Sequence, residues 1–321
     1  MTTDNERGAV AIMFGLLLVM LLGFIGMGVD VASAYAKSQE VQNGADAGAL
    51  AVAAQCATTG CAGDDALADE MAESNIRQGI DVTTDVSYPE ANQVTVVAET
   101  DHANYFLGLF GQQTFRVGEQ ATAEWSSPQS GPSMLPLVIS ACDFFQLSGL
   151  DPAGEPALGT PVSVYLPKPG YDPTAEGEVC TWTEEYPPGG FGWLDADDSC
   201  QAEVEVGGTV PGDPGLADAA CVEAVLEENL NKVILIPIFS DQVGNGSGAM
   251  YTIERFAALE LLGYEIQTGN VDGGSPCHVS PPNNNYSKTC IYGKFQEWVE
   301  LGGEYTGGAP ETEVTIVTLI D

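Results

Sequence analysis

Every position from Ala9 to Val29 is apolar or glycine, AVAIMFGLLLVMLLGFIGMGV, with no charge and no proline. A helix needs roughly 20 such residues, at about 1.5 Å of rise each, to cross the hydrocarbon core of a bilayer. The run therefore predicts a membrane-spanning helix. A cleaved secretory signal is the competing reading, with an h-region of about 7 to 15 residues and a small-residue cleavage site behind it. Ala32-Ser33-Ala34 supplies an A-x-A-like triplet, but Asp30 separates it from a run that is too long for a signal. The lengths favour a retained anchor.

Beyond Asp30 the pattern changes without stopping. Ala34, Val41, Ala45, Ala49 and Val52 recur at a three-to-four spacing, which predicts that the helix continues past the membrane with one packed face. Gly28, Ala32 and Ala36 form a small-xxx-small series, and Ala45, Ala49 and Ala53 form another. Either series lets a partner helix approach closely, although an alanine-rich helix also produces such spacings by chance. Asp30 has two readings. It is a solvated charge at the outer membrane boundary, or a polar contact to a partner helix that fixes register.

Cys56-Ala-Thr-Thr-Gly-Cys61 has turn chemistry, and Asp64 is a candidate N-cap for a helix through Leu67 and Met71 to about Gln78, ended by Gly79. Period-two, β-branched stretches from Ile80 to Tyr88 and from Gln93 to Thr100 predict two strands around a turn at Pro89-Glu90-Ala91-Asn92. Tyr105, Phe106, Leu109 and Phe110 fall at helical spacing in Asp101 to Phe110, and a third strand is expected from about Gln113 to Trp125.

The Pro/Gly/Ser cluster Ser126-Ser-Pro-Gln-Ser-Gly-Pro132 marks a domain boundary. Beyond it, Leu135 to Ile139, Val162 to Leu166, Lys232 to Phe239 and Val314 to Ile320 read as core strands, while Arg255 to Leu262 fits a short helix or another strand. Gly and Pro are dense between Pro152 and Pro214, which favours short strands and long loops. The expected fold class is α+β. Residues 1–55 form a membrane helix with its extension, 56–126 a small helix-strand-strand-helix-strand module, 127–133 a linker, and 134–321 a mostly β domain stapled by disulfides.

Cysteine usage sets the orientation, because Arg7 before the run and Lys37 after it leave the positive-inside rule nearly silent. Cys56, Cys61, Cys142, Cys180, Cys200, Cys221, Cys277 and Cys290 all lie beyond the run, an even number that suits disulfides formed outside the cytosol. The short N-terminus is then cytoplasmic and the remainder outside. No C-x-x-C pair occurs, and His102 and His278 do not sit in a zinc-ligand pattern. Sequence leaves the connectivity of the last six cysteines open, and sequential pairing is the expectation: Cys56 with Cys61, Cys142 with Cys180, Cys200 with Cys221, Cys277 with Cys290.

Charge excludes more than it identifies. Forty-six acidic residues against 9 basic ones give a formal net charge of -37, so nucleic acid and anionic lipid are poor partners. Asp195-Ala196-Asp197-Asp198 invites calcium, but Cys200 occupies the place where an EF-hand loop needs glycine, and a solvated acidic loop is the default. Catalytic signals are equally thin. There is no G-x-S-x-G elbow, VGNGSG lacks the Gly-Lys-Ser/Thr ending of a phosphate loop, and no carboxylate pair stands out near Trp182, Trp193 or Trp298. No catalysis and no cofactor are expected.

Glu6-Arg7-Gly8-Ala9-Val10-Ala11, Val29-Asp30-Val31 and Gln42-Asn43-Gly44-Ala45-Asp46-Ala47-Gly48-Ala49-Leu50-Ala51 together resemble the N-terminal segment of TadG-like proteins of the tight-adherence (Tad, or Flp) pilus-assembly system. Val94-Thr-Val-Val97, Tyr105-Phe-Leu-Gly-Leu-Phe110 and a closing strand are similar, less specifically, to the next segment of proteins in that group. Gly190-Phe-Gly-Trp-Leu-Asp195 and Lys232-Val-Ile-Leu-Ile-Pro-Ile-Phe239 look like stretches of actinobacterial members. The resemblance implies a single-pass envelope protein that works with pilus-assembly proteins or pilin helices, and it identifies no catalytic residue. Two departures stand out. A prepilin-type cut after Gly8 would place Met13 where the mature pilin carries glutamate, and the D-x-S-x-S pentad of a von Willebrand factor A domain is absent, Asp30-Val-Ala-Ser33 being the nearest approximation. The expected function is a membrane-anchored, non-catalytic component of a pilus or secretion apparatus. A secreted adhesin or carbohydrate-binding β domain is the alternative, and a tethered hydrolase a third possibility.

Overall fold

The computed structural model describes residues 6–76, 81–148, 158–167, 191–197, 200–213, 219–244, 248–266 and 286–320. They fall into two compact units, Met1–Trp125 with Val317–Asp321, and Ser126–Ile316. The fold is α+β: a long apolar helix, a small mixed module and a mostly β domain.

In the first unit, helix α1 (Glu6–Thr59) is unbroken. No proline interrupts it, and its many alanines have the highest helix propensity. Its two parts have opposite surroundings. Large apolar side chains from Val10 to Val31 are exposed, whereas Val41, Ala45, Ala49, Val52 and Ala53 are completely buried. Gly60, in the left-handed region at φ 88°, stands just past the last turn, as expected of a C-terminal cap. The Cys56–Cys61 disulfide is present and closes this turn.

Helix α2 (Asp64–Asn75) folds back onto α1. Asp64 does not cap it. Gly63, at φ 83°, occupies the cap position, and the Asp64 carboxylate instead accepts the Asp65 N–H and the Tyr88 hydroxyl. The helix stops at Asn75, and the expected terminator Gly79 lies outside the described residues. Glycines on α1 permit the close approach: a Cβ on Gly44 would meet Ile76 at 3.0 Å, and one on Gly48 would meet Val96 at 3.2 Å.

Strands β1 (Thr83–Ser87), β2 (Gln93–Ala103) and the first part of β3 (Thr114–Ser133) form an antiparallel sheet, with Thr83 opposite Glu99 and Gln93 opposite Glu124. Val94, Val96 and Ala98 alternate inward, toward α1 and α2. The second helix expected in this module is absent. β2 runs through Ala103, and only Leu107–Phe110 forms a single 3-10 turn, ended by Gly111 at φ 97°.

Residues 127–133, expected as a linker, lie within β3, which continues to Ser133, and the division between the two compact units falls just before them, between Trp125 and Ser126. Hydroxyls offset their turn-like composition. Ser126 Oγ accepts the Gly308 N–H, and buried Ser127 Oγ accepts the Thr312 N–H. Gly131 admits the Tyr305 ring, since a Cβ there would stand 2.3 Å from it. Strand β3 pairs here with two short strands, β7 (Ala202–Glu205) and β13 (Thr306–Ala309).

The second unit centres on a sheet that includes β4 (Leu137–Ser140), β5 (Pro161–Pro167) and β6 (Phe191–Trp193). Its longer members are β9 (Val233–Val243), β10 (Met250–Glu265) and β11 (Tyr286–Gln296). The order is β5-β11-β10-β9-β4-β6, with β8 (Thr209–Pro211) alongside β10. All these pairings are antiparallel except that of β4 with β9. Arg255 to Leu262 is therefore strand. Strand β9 is buried on both faces, which explains its continuous apolar run. Ile234, Ile236 and Ile238 pack with Phe144, Phe145, Val222 and Leu226, while Leu235 and Phe239 pack opposite with Val204, Tyr305 and Ile316.

The first of these layers includes two helices that strand-seeking patterns miss, α3 (Ala141–Ser148) and α4 (Ala219–Glu228). Strands β12 (Trp298–Leu301) and β14 (Val314–Ile320) complete the described elements.

Candidate membrane-interface site

The most organised polar contact in the first unit surrounds Asp30, the first charge after the apolar run. Asp30 is only 2% exposed. Its Oδ1 accepts the Tyr105 N–H at 2.9 Å and the Phe106 N–H at 3.1 Å. Its Oδ2 accepts the Phe106 N–H at 3.0 Å and the Leu107 N–H at 2.6 Å. Phe106 and Leu107 stand at the start of the short turn, where a helix leaves N–H groups unsatisfied, and a carboxylate from a distant helix caps them along with the preceding Tyr105. An ionised carboxylate only accepts, which suits three converging donors. Within this chain the Asp30 carboxylate is buried, and both of its oxygens are engaged by the loop.

Further contacts fasten the same strip of α1 to the sheet. Ser33 Oγ lies 3.1 Å from His102 Nε2, Ser38 donates to Glu119, and Gln42 Nε2 donates to the Gln120 carbonyl at 3.1 Å. His102 also meets the Phe115 ring edge to face. On the N-terminal side of Asp30, one turn back along the helix, a Cβ on Gly26 would stand 2.6 Å from the Phe106 ring. Gly26 therefore receives that ring.

The loop held by Asp30 turns its apolar side chains outward. Tyr105 is 67% exposed, Leu109 80% and Phe110 83%. Their helical spacing matches no buried face. The missed signal was the pairing of an aromatic, charge-free stretch, Tyr105 to Gly111, with Asp30 far upstream.

The other expected site residues are dispersed. Ala45 and Ala49 are consumed by packing within the chain against α2 and β2, whereas Gly28, Ala32 and Ala36 stay exposed. Cys142, Cys200 and Cys290 are disulfide-bonded, but each of the three expected pairs beyond Cys56–Cys61 includes a side chain outside those described. Asp197 Oδ1 accepts the Gln201 N–H in a turn, and among the described residues no group of three His, Cys, Asp or Glu could hold a metal ion. Trp193 is a core residue, while Trp182, Cys180, Cys277, His278 and Asn245-Gly246-Ser247 of VGNGSG lie outside the described residues.

Searches of curated proteins and of solved structures return no match. Residues 8–55 match the family model Tad, Flp pilus-assembly TadE/G-like. The match begins at the head of the apolar run, passes through Asp30 and ends on the buried face near Val52. Over nearly its whole length, helix α1 is therefore similar to the Tad-type segment of pilus-assembly proteins.

Proposed function

We propose that this protein is a single-pass, membrane-anchored, non-catalytic structural component of a Tad/Flp-type pilus or secretion apparatus. The observation that carries the reading is the coincidence of the Tad match at 8–55 with one continuous helix, apolar and exposed at one end and packed into a folded module at the other. The helix is long and apolar enough to cross a membrane. Disulfides in the chain beyond the span suit an oxidising compartment, so the N-terminus is cytoplasmic and the folded units lie outside. The exposed series Gly28, Ala32 and Ala36 is where a pilin helix or another assembly protein would approach.

Cleavage behind Ala34 would remove Asp30 and strip the loop at 105–107 of its acceptor, which counts against the secreted-adhesin alternative. The test is membrane fractionation with mapping of the mature N-terminus. Recovery in carbonate-washed membranes with residues 9–29 retained is the expected result. Free protein in the medium beginning at Tyr35 would overturn the anchor.

A further inference from the structure

We infer that the loop at residues 105–111 is a second membrane contact, an apolar wedge that Asp30 holds at the level of the outer lipid headgroups. The inference rests on the reading of α1 as a membrane span.

Three observations converge. First, the loop's depth is set by the anchor itself. The His102 ring is level with Ser33, the N–H groups of 105–107 are level with Asp30, and the Phe106 ring is level with Gly26. Asp30 to Gly26 is one helical turn, about 5.4 Å, so the chain descends from β2 past the first charge and into the apolar run. Second, the surface presented there is apolar and without charge. Leu109 and Phe110 are more than three-quarters exposed and Tyr105 two-thirds exposed, in a chain with 46 acidic residues. Aromatic rings with a polar edge are the side chains that settle at headgroup level. Third, the charges of the same hairpin stay higher up. Arg116 pairs with Glu99 at 3.1 Å and Asp101 at 3.8 Å, on the far side of His102 from the loop. Apolar tip and charged stem are separated along the axis of α1.

The occupant is the acyl and headgroup boundary of the bilayer in which α1 sits. It differs from an anionic surface, which a chain of net charge -37 would avoid. Two contacts, span and wedge, fix the rotation of the module about α1. The side of the helix carrying Gly28 and Ala32 then faces one direction in the membrane plane.

The test uses the full chain in nanodiscs of phosphatidylcholine brominated near the headgroup or deep in the acyl chain. Phe110→Trp is compared with Val19→Trp in the span and with Glu90→Trp in the turn at the other end of β2, each after subtraction of the parent's four tryptophans. Val19→Trp should be quenched most by deep bromines, Phe110→Trp by shallow ones, and Glu90→Trp by neither. Adding Asp30→Ala to Phe110→Trp should abolish the shallow quenching. Quenched Val19→Trp with unquenched Phe110→Trp overturns the wedge and leaves the anchor standing, a result expected if a protein partner covers the loop. Unquenched Val19→Trp overturns both.

Discussion

Leu107 donates its backbone N–H to Asp30 Oδ2 at 2.6 Å, across 77 positions of sequence. This bond and the neighbouring ones from Tyr105 and Phe106 make one carboxylate responsible for the conformation of a whole loop. Asp30→Ala removes every acceptor and leaves three adjacent N–H groups to water. Hydrogen exchange monitored by mass spectrometry should show loss of protection at 105–107, with the amides of 94–98 in β2 unchanged. Asp30→Asn, which keeps one acceptor oxygen, should give an intermediate result.

Glycines of α1 divide by what stands opposite them. Gly48→Leu forces a side chain against Val96 and Ala68, and overpacking of this kind costs about 1 to 3 kcal/mol. Gly15 faces nothing within 4 Å, so Gly15→Leu should leave thermal unfolding of the module in detergent unchanged. Equal effects of the two substitutions would contradict the division of α1 into an exposed and a packed part.

That division was legible in the sequence, because an uncharged run and a three-to-four repeat are local patterns that a helix reads directly. The strands β2 and β9 were legible for the same reason. What escaped were relationships between distant segments. Tyr105, Phe106, Leu109 and Phe110 mimic a helical face, yet the loop that carries them is set by Asp30, and no local pattern announces it. Ser126 to Pro132 has the composition of a linker, but its hydroxyls find partners near position 310 and the segment stays extended. Nor does a strand pattern announce α4, which Val222 and Leu226, four apart, carry into the core. Of the Asp30 site, the residue was visible and its partners were not.

The Cys56–Cys61 bridge closes a loop too short to restrain much of the unfolded chain. The chain-entropy relation gives about 2 kcal/mol for a loop of this size. Cys56→Ser with Cys61→Ser should therefore lower the melting temperature of the module by roughly 10 °C without abolishing the packing of α2 on α1. Loss of the far-ultraviolet helical signal in the double variant would show that the turn depends on the bridge far more than this.

Asp143 gives the fold a pH dependence opposite to that of an ordinary salt-bridged carboxylate. Ser140 caps α3, accepting the Asp143 N–H at 3.1 Å and donating to Asp143 Oδ2 at 3.0 Å. Burial nevertheless raises the carboxyl to about 7, with the Ser140 bond opposing the shift only in part. Between about pH 4 and 7 the folded state keeps a proton that the unfolded chain releases, so stability declines as pH rises through this window. Above pH 7 the full cost of the part-buried charge is present, on the order of 4 kcal/mol for a shift from 3.8 to about 7. Asp143→Asn removes the charge and preserves the shape. Chemical denaturation should find the variant more stable than the parent at pH 8 and indistinguishable from it at pH 4, whereas a stabilisation independent of pH would assign the effect to packing alone.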